Sequence, residues 1–486
     1  MSERFDPGGR RLPIKLDATS NGEFLPRPVA AEVRYANRLA RENATGTARK
    51  LGLGRRAFLK SICGAAATLL SMNEAFARCG KTGGFYALPR EAAFEPAAAR
   101  ERIGGEEFIF DIQTHHVNPK GSWRRLTNRW TYILRFFPQA DCGGDAIECF
   151  SAEHFLREIF LDSDTDMAVL SAVPAAPEDN PLSLADAAAT RALVEAMEGQ
   201  HRLLIHGLVH PNLPGAIDAM ARQKEDYRVS AWKTYTQWGP DGVGYWLDDE
   251  RTGIAFIEKA RALGVKLICI HKGIPLFNLD YEYSTCRDIG IVARRYPDVS
   301  FIVYHSGFDP GRREGPYDPK NAAGGVDSLV KSLEDNGIAP NSNVYAELGT
   351  TWRQLMQDPD QATHVLGKLF RYVGENNVLW GTDSIWYGSP QDQIQAFRAF
   401  QIAPEFRERY GYPEITPTLR AKVFGLNAAV PYGLDPQALP RARDRRDRLA
   451  EIKQGYAEDP EPSFATWGPR DADEFLALHA LSQGKL

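Results

Sequence analysis

The chain has 486 residues, of which 43% are hydrophobic and 25% are charged. This length and composition are typical of a globular protein with room for one large core or two smaller ones, and they exclude a disordered chain. A formal net charge of -5 gives no basic footprint for nucleic acid. No stretch of about eighteen apolar residues predicts a membrane span. We therefore expect a soluble enzyme with no nucleic-acid partner.

The first 77 residues are predicted to be a leader that precedes the folded domain. Residues 1–53 are rich in Arg, Pro, Gly and Asn, and their only apolar period is a weak helical one around Ala30 to Ala40. Next comes the pair Arg55-Arg56, followed by Phe-Leu-Lys and a mildly apolar run over residues 61–72. The small-x-small sequence Ala75-Phe76-Ala77 ends this segment.

This order of residues resembles a twin-arginine export signal with cleavage after Ala77. The resemblance implies the twin-arginine export machinery as a partner, and a periplasmic or exported protein with no membrane span in its mature chain. The alternative is an amphipathic N-terminal helix with a solvated arginine pair, in a cytoplasmic protein. Residues 78–107 then form a connecting segment.

Short β-rich runs alternate with helical stretches from Phe108 to about Asp435. One such helical stretch is Arg251 to Leu263, with Gly264 as its stop signal. Strands that alternate with helices pair in parallel, and eight such units close into a barrel. We therefore predict an α/β fold, a (β/α)8 TIM barrel, over residues 108–435. The predicted strands are Phe108–Gln113, Met167–Val173, Leu203–Val209, Arg228–Thr234, Lys266–His271, Ser300–His305, Asn343–Glu347 and Val378–Asp383.

Two segments depart from this regular pattern. A long insert after the first strand is expected to lie over the mouth of the barrel. Residues 436–486 form a charged, partly helical C-terminal arm with a basic run at 441–448, and packing of this arm on a neighbouring subunit would make a homo-oligomer.

The six cysteines are too scattered for a disulfide scaffold. Cys142 and Cys149 are the only close pair, and the sequence leaves open whether they are bonded.

Polar side chains follow most of the predicted strands, where the carboxyl ends of barrel strands converge on an active site. Burying so many imidazoles and carboxylates together costs free energy unless a cation or a hydrogen-bond network satisfies them. Imidazole and carboxylate groups suit zinc or manganese. We therefore predict one divalent ion, Zn or Mn, with His115, His271 and Asp383 as ligands. The polar residues at strand ends are Gln113, His115, His210, Lys233, His271, His305, Glu347 and Asp383.

Side chains alternate between the two faces of a strand, which assigns a face to each polar residue of strand one. Strict alternation puts Asp111, Gln113 and His115 on one face. His116 would then point to the opposite side, unless the backbone turns there.

The sequence resembles the amidohydrolase-related (amidohydrolase 2) family of the metal-dependent hydrolase superfamily, which includes the aminocarboxymuconate semialdehyde decarboxylase type. The order and spacing of several short motifs carry the resemblance, which covers about residues 108–434. The motifs are Phe110-Asp111-Ile112-Gln113-Thr114-His115, His271 after strand five, Tyr304-His305-Ser306-Gly307, Leu379-Trp380-Gly381-Thr382-Asp383-Ser384 and Phe424-Gly425-Leu426-Asn427-Ala428-Ala429.

The resemblance implies roles for individual residues. His115 and His271 are then metal ligands, Asp383 is a ligand or the general base, and His305 polarises the substrate or accepts a proton. The family's usual strand-one pair is His-x-His, whereas this chain has Gln113-x-His115. Gln113 would bind an ion through its carbonyl oxygen, as a weaker ligand than imidazole or carboxylate.

Other polar residues have two interpretations each. Lys233 is either a carboxylated lysine that bridges two ions, as in two-metal relatives, or a cation that pairs with Glu347 or binds a substrate carboxylate, which we favour. Arg124 and Arg125 either hold an anionic substrate or are solvated. His210 is either near the substrate or a hydrogen-bonded core residue, and Glu347 is expected to bind the substrate.

The predicted function is hydrolysis of a carbonyl C–N or C–O bond in a small-molecule substrate, through a metal-activated water, with Asp383, His305 and Lys233 as catalytic residues. The first alternative is metal-dependent, non-oxidative decarboxylation of an aromatic or enolic acid. The second is a barrel that has lost its metal and serves as a binding module.

Overall fold

The computed structural model describes residues 6, 8–125, 127–197, 199, 201–275, 281–439 and 447–482 of the chain. Eight strands, β2 to β9, form one sheet in sequence order with parallel neighbours. The strands are β1 Gly84–Tyr86, β2 Phe110–Thr114, β3 Met167–Leu170, β4 Leu203–Leu208, β5 Ala231–Tyr235, β6 Leu267–His271, β7 Ser300–Tyr304, β8 Val344–Glu347, β9 Val378–Leu379 and β10 Phe400–Ile402.

Backbone hydrogen bonds close this sheet into a barrel. Ile112 N donates to Trp380 O over 3.1 Å, and Asp383 N donates to Gln113 O over 2.9 Å, so the chain around β9 meets β2. All eight predicted barrel strands are present, and the predicted (β/α)8 TIM barrel is confirmed.

Alternating side chains give the barrel an inner and an outer apolar layer. Ile112, Cys269 and Ile302 pack together from three different strands inside the barrel. Ile268 and Phe301, one position away, belong to the larger core formed with the surrounding helices. This alternation is what directs His271, two residues after Cys269, towards the carboxyl end of the barrel interior.

Helices surround the sheet and continue into both terminal segments. The α-helices are α1 Ala31–Lys50, α2 Arg55–Lys60, α3 Ile62–Arg78, then Pro96–Ile103, Arg129–Arg135, Ala152–Leu156, Leu184–Ala196, Ala216–Tyr227, Gly253–Ala262, Ile289–Arg295, Val326–Asp335, Thr351–Leu355, Pro359–Lys368, Gln391–Ala399, Pro404–Tyr410, Pro417–Ala421, Asn427–Ala429, Arg448–Glu458 and Ala472–Ser482. Within the described part of the chain, no helix combines the length and apolar character that a membrane crossing requires.

The predicted leader is folded onto the barrel. Helix α1 continues to Lys50 and packs against α3. Its buried face is Val33 followed by alanines at positions 36, 40, 44 and 48, and these small side chains explain why the apolar period looks weak in the sequence. Helix α3 buries Leu69 and Met72 completely in the main core.

The arginine pair also makes contacts in the folded chain. Arg55 donates to Gly8 O, and Arg56 donates to Pro462 O over 2.7 Å and lies 3.7 Å from Asp6 Oδ2. These contacts join α2 to both ends of the chain. The twin-arginine signal and the exported location remain predictions.

The connecting segment adds an element that the sequence did not predict. Strand β1 pairs antiparallel with β10, so residues 84–86 are attached to the domain by a small second sheet. The insert after β2 contains a disulfide between Cys142 and Cys149.

The described part of the C-terminal arm packs on its own chain. Helix Ala472–Ser482 contacts helix Arg129–Arg135 of the insert, and Leu478 is buried there. Gln139 donates to Glu474 over 3.1 Å at the same contact. Most of the predicted basic run, 441–446, lies outside the described residues.

Candidate active site

A one-residue β-bulge shapes the end of strand β2. Asp111 pairs with Ala168 and Thr114 with Leu170, so β2 uses three residues where β3 uses two. The extra residue changes the alternation, and the expectation that Asp111 shares a face with Gln113 and His115 is wrong. Asp111 instead accepts hydrogen bonds from the backbone and side chain of Thr382.

Gln113 and His115 line a small cavity at the carboxyl end of the barrel. Its volume is about 10 Å3, which is about the space of one water molecule. Trp130 from the insert and Trp386 from the loop after β9 form part of its wall. The other polar residues that line it are Asn21, Glu23, His271 and Asp383.

Backbone carbonyls fix the orientation of three histidines around this cavity. Carbonyl oxygens only accept hydrogen bonds, so the ring nitrogen that meets each one carries a proton. His115 Nδ1 donates to Ser171 O over 2.7 Å. His305 Nδ1 donates to Gly349 O over 2.7 Å. His271 donates from its other nitrogen, Nε2, to Ile274 O over 2.9 Å.

Two of these histidines face each other with unprotonated nitrogens. His305 Nε2 lies 3.2 Å from His271 Nδ1. Burial lowers the pKa of His305 to about 4, and burial together with the neighbouring His305 lowers the pKa of His271 well below its ordinary value. Both rings are therefore neutral at pH 7, and two lone pairs meet with no proton between them. Such a contact is unfavourable unless a cation lies between or beside them.

Asp383 accepts hydrogen bonds from three side chains and lies beside His115. Its Oδ1 accepts from Gln113 Nε2 over 2.9 Å and lies 3.1 Å from His115 Nε2. Its Oδ2 accepts from Asn21 Nδ2 over 3.0 Å and from Thr350 Oγ1 over 2.5 Å. Burial alone would raise the pKa of Asp383, but the hydrogen bond and charge of His115 and the bond from Thr350 outweigh burial and lower it. The carboxylate is therefore charged at neutral pH.

The backbone is strained at the same place. Eight described non-glycine residues have a positive φ, and four of them line this cavity or belong to segments that contact its lining: His305 at 63°, Ser306 at 55°, Thr350 at 54° and Asp383 at 59°. Left-handed backbone is costly for residues with a Cβ, and it persists mainly where function requires it. This clustering supports the assignment of the cavity as the functional site.

Glu347 does not line the cavity, but it binds the backbone next to it. Its Oε2 accepts from His305 N over 3.0 Å, and its Oε1 accepts from Gly349 N. Burial raises the pKa of Glu347 to about 8. Glu347 thus holds the backbone of His305, and its role in substrate binding stays a prediction.

Lys233 is fully buried close to the site. Its Nζ lies 3.3 Å from the centre of the Tyr304 ring, and among the residues the structure describes it has no hydrogen-bond partner. The predicted pairing of Lys233 with Glu347 is therefore not formed. Burial lowers the pKa of Lys233 to about 8.

Two predicted substrate-binding arginines lie on the surface of the insert, away from the cavity. Arg124 forms an ion pair with Asp145, and Arg125 forms one with Asp179. These contacts satisfy both guanidinium groups locally.

Two further histidines also stay outside the cavity. His210 packs against the Trp238 ring at a centroid distance of 4.1 Å. It does not line the cavity, and within the described ranges neither of its ring nitrogens has a hydrogen-bond partner. His116 bonds Thr190 Oγ1 over 2.9 Å, on the side of the strand that alternation predicts.

Two residues that line the cavity are not indicated by any sequence pattern. Asn21 and Glu23 come from the predicted leader, which has no strand or helix period at that point. One carboxylate oxygen of Glu23 and one ring nitrogen each of His271 and His305 lie within 4.8 Å of one another. This group of three is a candidate metal site.

A comparison with protein families identifies the family of the chain. The amidohydrolase family model matches residues 157–434, which is more than half of the chain. The chain belongs to the amidohydrolase family. The matched range begins after β2, so it does not include Gln113 and His115. No curated protein sequence matches the chain.

Several solved structures resemble this amidohydrolase at low identity. One is an uncharacterized TIM-barrel protein from Bordetella bronchiseptica, with 15% identity, a TM-score of 0.43, and coverage of 69% of this chain and 100% of that one. Another is 5-carboxyvanillate decarboxylase from Sphingomonas paucimobilis, with 16% identity, a TM-score of 0.41, and coverage of 68% and 99%. A third is 2,6-dihydroxybenzoate decarboxylase from Rhizobium, with 12% identity, a TM-score of 0.40, and coverage of 67% and 99%.

The donors at the site fit the divalent ion that this family usually requires. Imidazole nitrogen and carboxylate oxygen are ligands of zinc and of manganese. Each histidine is oriented by a second hydrogen bond to a backbone carbonyl, an arrangement that is common for metal-binding imidazoles. The facing lone pairs of His271 and His305 are the strongest single reason to expect a cation here.

Proposed function

We propose that this amidohydrolase is a metal-dependent hydrolase that uses water to cleave a carbonyl C–N or C–O bond in a small, neutral substrate. The convergence of unprotonated imidazole nitrogens beside a charged Asp383 carries the proposal. His115, His271, His305 and Asp383 would hold the ion, with Zn or Mn as the candidates. When bound, such an ion supplies Lewis acidity and lowers the pKa of a water molecule toward about 7.

Asp383 acts as the general base in this proposal. It accepts a proton from the attacking water and passes the proton to the leaving group. The hydrogen bonds from Asn21 and Thr350 to Oδ2 hold the carboxylate group in place, which reduces the reorganisation that proton transfer requires. The charged state of Asp383 at neutral pH suits a base.

His305 has a narrower role than the sequence predicted. Its proton is held on Nδ1 by Gly349 O, so its Nε2 offers a lone pair to the site. In this neutral state, His305 binds an ion or accepts a proton and does not donate to a developing oxyanion. Glu347 keeps His305 in position through its backbone N–H.

The charge of the cavity favours a neutral substrate over an aromatic or enolic acid. Glu23 and Asp383 line the cavity, and no lysine or arginine is among its described lining residues. Apart from the proposed ion, a substrate carboxylate would therefore find no cation in the cavity lining to pair with. Arg124 and Arg125, the cations expected to hold an acid, are paired on the surface.

Substrate entry requires a movement, because the closed cavity holds about one water molecule. Two large side chains of its wall come from outside the barrel strands, Trp130 in the insert and Trp386 in the loop after β9. Closure of these residues over a bound substrate would exclude bulk water from the reaction.

Isotope labelling tests the reaction class. Protein loaded with zinc or manganese is supplied with neutral esters, lactones and amides in water enriched in oxygen-18, and with hydroxylated aromatic acids in parallel. We expect one labelled oxygen in the product of an ester, lactone or amide. Carbon dioxide release from the acids, with no turnover of the neutral compounds, would establish the decarboxylase alternative instead.

A further inference from the structure

The N-terminal residues 14–24, which we name the N-terminal strap, are firmly attached beside the active site. Lys15 Nζ donates to Tyr387 O over 2.8 Å and to Ser389 O over 2.6 Å, and it lies 3.3 Å from Asp392 Oδ1. All of these partners belong to the segment that follows β9 and Asp383. The strap is thereby aligned with the loop that carries the proposed base.

A second ion pair fixes the strap closer to its tip. Asp17 Oδ1 accepts from Arg353 Nη2 over 2.7 Å, and the Arg353 side chain is fully buried. Arg353 lies three residues after Thr350, which binds Asp383. A buried guanidinium left without its carboxylate is strongly destabilising, so this contact commits the strap to one position.

The tip of the strap is a tight turn that directs Glu23 into the site. Ser20 Oγ donates to Phe24 O over 2.6 Å and accepts from Gly22 N over 3.0 Å. Gly22 has a φ of 89°, a conformation that favours glycine. Asn21 Nδ2 then donates both to Glu23 Oε2 over 2.7 Å and to Asp383 Oδ2 over 3.0 Å. One amide thus connects the strap carboxylate to the proposed base.

Strand β2 lacks a ligand at the place where Glu23 arrives. Gln113 Nε2 donates to Asp383 Oδ1 over 2.9 Å and lies 3.4 Å from His305 Nε2, so the nitrogen side of this amide faces the site. An amide nitrogen is no ligand for a cation. Glu23 instead brings a carboxylate oxygen into the group it forms with His271 and His305, all within 4.8 Å.

We propose that Glu23 is a metal ligand, and that it supplies the ligand atom that Gln113 does not provide. This inference rests on the proposed function, because it assumes that the site binds an ion. It makes residues 14–24 part of the metal centre, whichever compartment holds the protein. Cleavage after Ala77 would remove Glu23, so the proposal and that cleavage exclude each other.

Cobalt(II) binding to the full chain tests the proposal without an activity assay. The variant is Glu23→Gln, and the matched control is Glu32→Gln in the first turn of α1, where Glu32 lies 3.8 Å from Lys81. Affinity is measured by competition with a chelator, and the visible absorption of bound cobalt reports its coordination. We expect Glu23→Gln to weaken binding by about tenfold or more and to change the spectrum, with the control unchanged. Melting temperatures without metal show whether each variant is folded.

A second substitution provides a rescue. Gln113→His places an imidazole at the first position of the strand-one pair, and we expect it to restore cobalt affinity in the Glu23→Gln background. The proposal is overturned if Glu23→Gln binds cobalt as tightly as the control and with the same spectrum. If wild-type protein binds no cobalt, the proposed function fails as well, so the two failures are distinguishable.

Intact-mass measurement of the protein from its natural source is an independent test. We expect the mass of a chain that still contains residues 14–24. A mature chain that begins after Ala77 would contradict the role of Glu23.

Discussion

The substitution Gly381→Ala tests whether Glu347 holds the backbone of the active site in position. Gly381 lies between β9 and Asp383, and a Cβ at this position would overlap Glu347 Oε1 and lie 3.2 Å from Gln113 Cβ. Both neighbours are buried, so neither can move into solvent. The Glu347 carboxyl group would have to turn away from the two backbone N–H groups that donate hydrogen bonds to it.

The cost of this substitution follows from the contacts that it breaks. Each hydrogen bond to an uncharged group contributes about 0.5 to 1.5 kcal/mol, and overpacking of a well-packed core adds about 1 to 3 kcal/mol. We therefore expect the free energy of unfolding to fall by roughly 4 kcal/mol. His305 loses the hydrogen bond at its backbone nitrogen, so metal affinity should fall too.

Chemical denaturation of the metal-free protein measures the effect on stability. The matched control is Gly46→Ala in the C-terminal part of α1, where an added Cβ meets no atom within 4 Å. Alanine is the better helix former, so this control should gain about 0.5 to 1 kcal/mol. The double variant Gly381→Ala with Glu347→Ala has no overlap at this position. Its free energy of unfolding should therefore fall by less than the sum of the decreases in the two single variants. Wild-type stability of Gly381→Ala, or full additivity in the double variant, would refute the role given to Glu347.

Three further predictions concern chemistry and charge. Asp383→Asn should lower kcat by about 10² to 10⁴, as expected for loss of a general base, and an unchanged kcat would exclude that role. Arg124→Ala and Arg125→Ala should leave KM for a neutral substrate unchanged, whereas a raised KM would place these arginines at the substrate. Burial raises the pKa of Glu347 from its ordinary 4.5 to about 8, so its contribution to stability is complete below pH about 4.5 and is lost as the pH rises toward 8. The stability of wild type relative to Glu347→Gln should therefore fall between pH 5 and 8, and a constant difference would contradict the burial argument.

The barrel was predictable because its signals are local. Apolar runs such as Ser300–Tyr304 end in polar residues, and in a parallel barrel all such ends meet at one face. That rule brought together His115, His271 and Asp383 from distant parts of the chain. Helix α1 was only partly predicted, because its buried face is mostly alanine.

The contacts that the sequence did not indicate depend on tertiary structure. The bulge in β2 moves Asp111 away from His115, and no residue type marks it in advance. Asn21 and Glu23 reach the site only because the strap is anchored by buried ion pairs far along the chain. Arg124 lies near the predicted mouth in sequence, yet Asp145 satisfies it on the surface.

Metal analysis of the native protein tests the central claim most directly. We predict about one zinc or manganese ion per chain after purification, and its loss in a His115→Ala variant that also carries His271→Ala. Folded wild-type protein with no bound transition metal, and with no uptake of zinc or manganese when these are supplied, would contradict the proposed hydrolase and favour the metal-free binding module.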